Sequence, residues 1–184
     1  MPLAAVNHKT PLWFVLPSYS PAHSAALLAN FSALVLDYIA RQKVGGASMS
    51  YFLLKQLPFI PPDRYTAEDL EFISQRVLQL TYTAHDVTAW GSDLGYGGQP
   101  FDFDIENRAQ IRAELDAYFA RLYGLDRNEL RYILDPADVM GPDYPTETFR
   151  VLKQREMNTK GVNEYRTRRL VLEAWDQLQA GTLH

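Results

Sequence analysis

Side chains able to do chemistry are few and scattered in this chain. The four histidines stand at positions 8, 23, 85 and 184, and no two share a helix turn. With no cysteine beside them, they supply no metal-ligand set. His85-Asp86 reads as local helix capping. Gly95-Tyr96-Gly97-Gly98 is glycine-rich, but it follows no buried strand. Gln99-Pro100-Phe101 comes next, where a phosphate-binding loop would open a helix, so the segment reads as a turn. No Gly-x-Ser-x-Gly elbow offers a serine nucleophile. Charge is therefore the more informative chemistry.

The net charge of −4, taken alone, argues against a nucleic-acid binder. Its distribution is uneven. Residues 1–62 carry Lys9, Arg41, Lys43 and Lys55 against Asp37 alone. Residues 63–147 carry seven arginines against seventeen acids, and residues 150–169 hold seven basic groups against Glu156 and Glu164. A basic–acidic–basic division can turn one surface toward phosphate while the rest stays acidic. Arg41 and Lys43 fall at a predicted helix end. The Gly45-Gly46 turn beside them would let a phosphate backbone approach closely, and Ser48, Ser50 and Lys55 follow. The alternative is that the glycines only end a helix and the cations are solvated. Arg166, Arg168 and Arg169 lie on a helix with an apolar opposite face. Arginine grips phosphate in bidentate fashion, but these three can equally pair with the acidic middle of the same chain.

The elements that must carry these groups are mostly helical. Leu12-Trp13-Phe14-Val15-Leu16 reads as a short strand between two prolines. Ser20-Pro21 opens a helix whose stripe, Leu27, Leu28, Phe31, Leu34, Val35, Tyr38 and Ile39, should be buried, and Gly45-Gly46 stops it. Tyr51–Leu54 is an apolar run of undecided type, and Leu57–Pro62 should be extended. Capping boxes at Thr66–Asp69 and Asp126–Glu129 open two further helices. Gly91–Asp104 and Asp135–Pro145 read as loops. Helices follow around Ile111–Leu122, closed by Gly124, from Thr146 to about Met157, and along Tyr165–Leu178. The expectation is a mainly α (α+β) protein with sparse β-structure near the N-terminus.

At 184 residues and 47% hydrophobic composition the chain can build a core. No apolar run reaches bilayer length, and Met1–Ala5 does not read as a secretory signal. With no cysteine, the expected setting is the cytoplasm, away from membranes.

Three segments together carry a family resemblance. The first is Asn30–Gly46 followed by Phe52-Leu53-Leu54-Lys55-Gln56-Leu57-Pro58 and Pro61-Pro62. The second runs from Gln99-Pro100-Phe101 through Arg108–Ala117 to Leu122-Tyr123-Gly124-Leu125 and Glu129–Pro136. The third is Glu147–Lys153 with Glu164–Leu172. In this order they resemble the C-terminal target-recognition and helical region of bacterial N6-adenine DNA methyltransferases and single-chain restriction–modification enzymes. The resemblance implies that residues 1–62 are the end of a target-recognition-like domain and 63–184 a helical support domain. It implies double-stranded DNA and an N-terminal methyltransferase domain or subunit as partners. The implied DNA-contacting groups are Arg41, Lys43, Gly45, Gly46, Ser48 and Lys55, with Arg166, Arg168 and Arg169 as a second set.

The catalytic half is absent. Pro61-Pro62 lies between Ile60 and Asp63, not within an Asn/Asp-Pro-Pro-Tyr/Phe loop, and Pro142-Asp143 has no following Glu-x-Lys of a Mg²⁺ nuclease. No catalytic role is therefore assigned to any residue. S-adenosylmethionine, and Mg²⁺ if a nuclease is present, belong to the intact enzyme, of which this chain is expected to be a fragment, a truncated product or a separate subunit. The alternative reading is a helical interaction module that docks on a catalytic subunit without touching DNA; the acidic middle motivates it.

Overall fold

The structure is a computed structural model that describes residues 16–46, 48–145 and 148–183. Ten helices follow in chain order among these residues: α1 (Pro21–Ser32), α2 (Leu34–Lys43), α3 (Tyr51–Leu54), α4 (Ala67–Thr81), α5 (Thr88–Asp93), α6 (Ile105–Leu122), α7 (Arg127–Leu134), α8 (Pro136–Met140), α9 (Arg150–Met157) and α10 (Arg166–Gln179). Short 3-10 turns occupy Pro62–Arg64 and His85–Val87. No strand occurs among the described residues, so the fold is mainly helical. The expected strand at Leu12–Leu16 lies, apart from Leu16, outside them. Also among these residues, no single helix is long and apolar enough to cross a membrane. The α1–α2 pair has the length and composition but is bent by 55°.

The described chain divides into two compact units, residues 16–29 with 61–108 and residues 30–60 with 109–183. Each draws on two stretches of sequence, so neither coincides with 1–62 or 63–184.

In the first unit, α4 begins at the capping box expected from the sequence. The Thr66 hydroxyl accepts the Asp69 amide at 3.1 Å, and the Asp69 carboxylate accepts the Thr66 amide at 2.8 Å. Its far end is closed by the Tyr82 ring, only 2% exposed. The Tyr82 carbonyl accepts the Phe101 amide at 2.9 Å, and the Trp90 indole donates to Thr81 Oγ1 at 2.9 Å. The stretch from Gly91, expected as a loop, instead begins inside α5. A Cβ at Gly91 would sit 2.9 Å from the Tyr82 ring, so this helix can lie on that tyrosine only without a side chain there. The rest of the expected loop ends where Asp104 Oδ1 accepts the amides of Glu106 and Asn107 at 2.8 and 3.0 Å, which starts α6.

In the second unit, α6 is the central element. Every residue from Leu115 to Ala120 is buried, as in a helix packed on several sides. Gly124 closes it with φ 75°, the left-handed cap that the sequence predicts. Asp126 then opens α7 through its capping box, its Oδ1 accepting the amides of Asn128 and Glu129 at 2.7 and 2.8 Å. α7 packs against α2, α8 and α10.

The single helix expected from Ser20 to Gly45 is broken at Ala33. Ala33 has no side chain that can cap α2. Asp116, on α6 and 82 residues from Leu34, supplies the missing acceptor: its Oδ1 takes the Leu34 amide at 2.8 Å. Beside it, buried Asn30 donates to the Tyr123 hydroxyl at 2.7 Å and accepts the Ile60 amide at 3.0 Å. The buried face overlaps the expected stripe only in part. The buried positions are Ala25, Ala26, Ala29, Ala33, Val35, Leu36 and Ala40, whereas Leu28 is 45% exposed and Leu27, Phe31, Leu34, Tyr38 and Ile39 are only partly covered. α9 also departs from expectation: it begins at Arg150, not at Thr146, which lies outside the described residues.

Burial pushes the Asp116 carboxyl from 3.8 up to about 7, against the opposing Leu34 hydrogen bond. The acid form is thus favoured by folding. Its contribution to stability is complete below pH 3.8 and is lost as pH rises through about 7. Within that window the loss approaches about 1.4 kcal/mol per pH unit for this one proton. Asp116→Asn keeps an oxygen for Leu34 and removes the ionisation. Chemical denaturation at pH 5 and pH 8 is expected to show a smaller drop in stability for Asp116→Asn than for the parent. Asp116→Ala should destabilise by about 1–2 kcal/mol at pH 5, because the α2 amide loses its cap.

Candidate nucleic-acid interface

The C-terminal half of α2 is set by packing beneath it. Leu36 and Ala40 form a buried cluster with Leu54 and Leu57, and Phe31, Ile39 and Phe59 pack against it. The Phe31 and Phe59 rings lie 4.5 Å apart. These contacts fix which way the end of α2 faces.

Arg41, Lys43, Gly45, Gly46, Ser48 and Lys55 are all exposed, as the DNA-contact reading requires of them. They are not equivalent. Arg41 pairs with Asp37 one turn earlier at 3.0 Å, and its guanidinium lies 5.5 Å from the Phe149 ring centroid. Lys43 has no ion-pair partner among the described residues. The Lys55 ammonium lies 4.4 Å from the centroid of the Tyr51 ring. Ser50 is committed locally: its Oγ accepts the Leu53 amide at 3.3 Å and caps α3.

The helix ends just before the glycine pair, where the sequence places its stop. α2 stops at Val44 (φ −93°, ψ 97°), whose amide still reaches the Ala40 carbonyl. Gly45 and Gly46 are not among the glycines with positive φ. The glycine pair therefore acts as no left-handed cap. A Cβ at either position would meet nothing within 4 Å, so the space above this backbone is open.

The second basic set is engaged within the chain. Arg168 reaches Asp138 at 2.9 Å and Asp135 at 3.8 Å. Lys153 pairs with Asp135 at 2.6 Å and Arg131 with Asp138 at 2.9 Å. Asp135 is only 4% exposed, and its Oδ1 has no hydrogen-bond partner among the described residues. Partial burial would raise the Asp138 carboxyl, but the Arg131 hydrogen bond and the Arg168 charge outweigh it and hold that group below the usual carboxylate range. Arg169 binds Glu164 at 3.0 Å and Glu173 at 3.0 Å. Glu156 takes both the amide and the hydroxyl of Thr167, at 2.9 and 2.6 Å. Arg166 is half-buried and also has an interaction of its own. Of the two alternatives weighed for this helix, internal pairing describes Arg168 and Arg169. Arg168 reaches the acidic middle, whereas Arg169 pairs with neighbours on either side of it.

Sequence reasoning missed Asp116 and the exposed pair Tyr51-Phe52. The one signal for Asp116 was its setting between Ala113 and Ala120, small residues that leave room for another helix. Among the described residues no group of three or more His, Asp or Glu side chains could hold a metal ion. Comparison of the chain with known protein families, with curated proteins and with solved structures finds no match.

Two sets of substitutions separate the basic regions. Gly45→Ala and Gly46→Ala should leave the thermal midpoint unchanged within error, since the added methyl meets open space. Lys153→Met removes the nearest cation from buried Asp135. It should destabilise by about 1–3 kcal/mol in chemical denaturation, the range reflecting a lysine one-third exposed.

Proposed function

We propose that this chain is a DNA-recognition and support module serving a bacterial N6-adenine DNA methyltransferase of the restriction–modification kind. The observation that supports this most is the end of α2. Three basic side chains, Arg41, Lys43 and Lys55, occur between Asp37 and Asp63 with no acid among them, and all three are exposed. Beside them lies a glycine pair with open space above its backbone.

A lysine without a partner releases counterions when it meets a phosphate, and a backbone without side chains lets the phosphate come close. Such contacts position a duplex and carry no sequence information. Because Arg168 and Arg169 are held by carboxylates within the chain, they serve as bracing. The proposed contact set is therefore Arg41, Lys43, Gly45, Gly46, Ser48 and Lys55. In this reading S-adenosylmethionine is bound, and methyl transfer performed, by the catalytic domain that the module serves.

Binding to a duplex should fall steeply as salt rises. Lys43→Ala should weaken binding about equally for unrelated sequences and reduce the salt slope by about one unit. Its stability should stay near that of the parent, since an exposed charge contributes little. Titration by fluorescence anisotropy at several salt concentrations measures both quantities. No binding at low salt, or unchanged binding by Lys43→Ala, would refute the DNA contact. Calorimetry should detect no stoichiometric S-adenosylmethionine binding to this chain; saturable binding would contradict the proposed division of labour.

A further inference from the structure

The short helix α3 presents its aromatic residues outward. Tyr51 is 64% and Phe52 73% exposed, and Met49 before them is 46% exposed. The same segment is firmly anchored, because Leu54 and Leu57 are buried against Leu36 and Ala40 of α2. Ser50 caps the single turn. The two rings therefore stand on a fixed support, and the leucines that could have covered them are already used inside. Phe52 packs against no other ring among the described residues. One face of the Tyr51 ring is taken by the Lys55 ammonium.

We propose that Tyr51 and Phe52 form a stacking platform for unpaired nucleobases, placed beside the phosphate contacts at the end of α2. This inference rests on the DNA-contact reading above. Two features specify the occupant. From residue 38 to residue 62 there is no acidic side chain and there are three cations, so the surface suits an anionic partner. Exposed aromatic rings interleaved with those cations offer flat faces that any base can cover, the arrangement by which proteins hold single strands without sequence preference. A lipid surface is a poorer fit. Interfacial anchoring uses an amphipathic helix of several turns, whereas α3 has one turn and buries Leu54 and nearby Leu57 in the protein.

The full chain is titrated by anisotropy against a paired duplex, the same duplex with a short unpaired bubble, and anionic phosphatidylserine vesicles. The parent should prefer the bubble duplex. Tyr51→Ala with Phe52→Ala should lose about tenfold or more in affinity for the bubble and little for the paired duplex. Phe52→Trp should retain the preference, and Phe52→Leu, apolar but without a π face, should not. Both rings are mostly exposed, so thermal midpoints should stay close to the parent's and serve as the folding control. Paired-duplex binding without a ring-dependent bubble preference overturns the stacking platform alone. Failure to bind any DNA at low salt overturns the DNA-contact reading and this inference with it. Ring-dependent vesicle binding in place of bubble binding assigns the patch to lipid and overturns it as well.

Discussion

A buried carboxyl group holds the second unit's architecture in register. Asp116 sits in a run of six buried residues on α6 and accepts the first amide of α2. Without that acceptor, Leu34 would begin a helix with no cap, because Ala33 has no side-chain oxygen. A carboxylate at a helix N-terminus is also favoured by the helix dipole. Burial acts against the charge, and the carboxyl is pushed to about 7. Capping and desolvation thus oppose each other at one atom. Asn30 completes the joint by binding the Tyr123 hydroxyl and the Ile60 amide. These bonds determine where α2 starts, and therefore where Arg41, Lys43 and the glycine pair stand.

A second constraint sorts the basic residues. On α10 the guanidiniums of Arg168 and Arg169 sit within 3.0 Å of carboxylate oxygens. Meeting a phosphate would mean giving up those pairs, of which Arg168's brace α10 against α8 and the residue before it, and Arg169's stay local to α10. At the end of α2, among the described residues, Arg41 pairs with an acid one turn back on its own helix and Lys43 and Lys55 pair with none. Two clusters that look alike in composition therefore differ in what their charge is free to do.

The sequence was most legible where structure is local. Both capping boxes lie within four residues, and α7 runs from Arg127 to Leu134 as its box and apolar spacing predict. Gly124 closes α6 in the left-handed conformation that glycine permits. Legibility fell where a distant group decides. The bend at Ala33 depends on an acceptor 82 residues from Leu34, so Ser20 to Gly45 read as one helix whose expected stripe is only partly the buried face. Gly45-Gly46 marked the place where α2 stops, but not how: Val44 closes it in an extended conformation, and neither glycine has positive φ. The candidate cations were legible as charges; their partners were not. Arg168's ion pair with Asp138 closes 30 residues of chain, and no local rule distinguishes it from solvation. Tyr51 and Phe52 stayed ambiguous because a four-residue apolar run has no period to show which side it buries.

The central claim is that DNA is met by the end of α2 and not by α10. Hydrogen–deuterium exchange of the full chain, with and without a duplex at low ionic strength, addresses it directly. The account predicts slower exchange confined to peptides covering Arg41 to Gln56, with α10 peptides unchanged. Protection confined to residues 150–179, or no protection anywhere at saturating duplex, would contradict it.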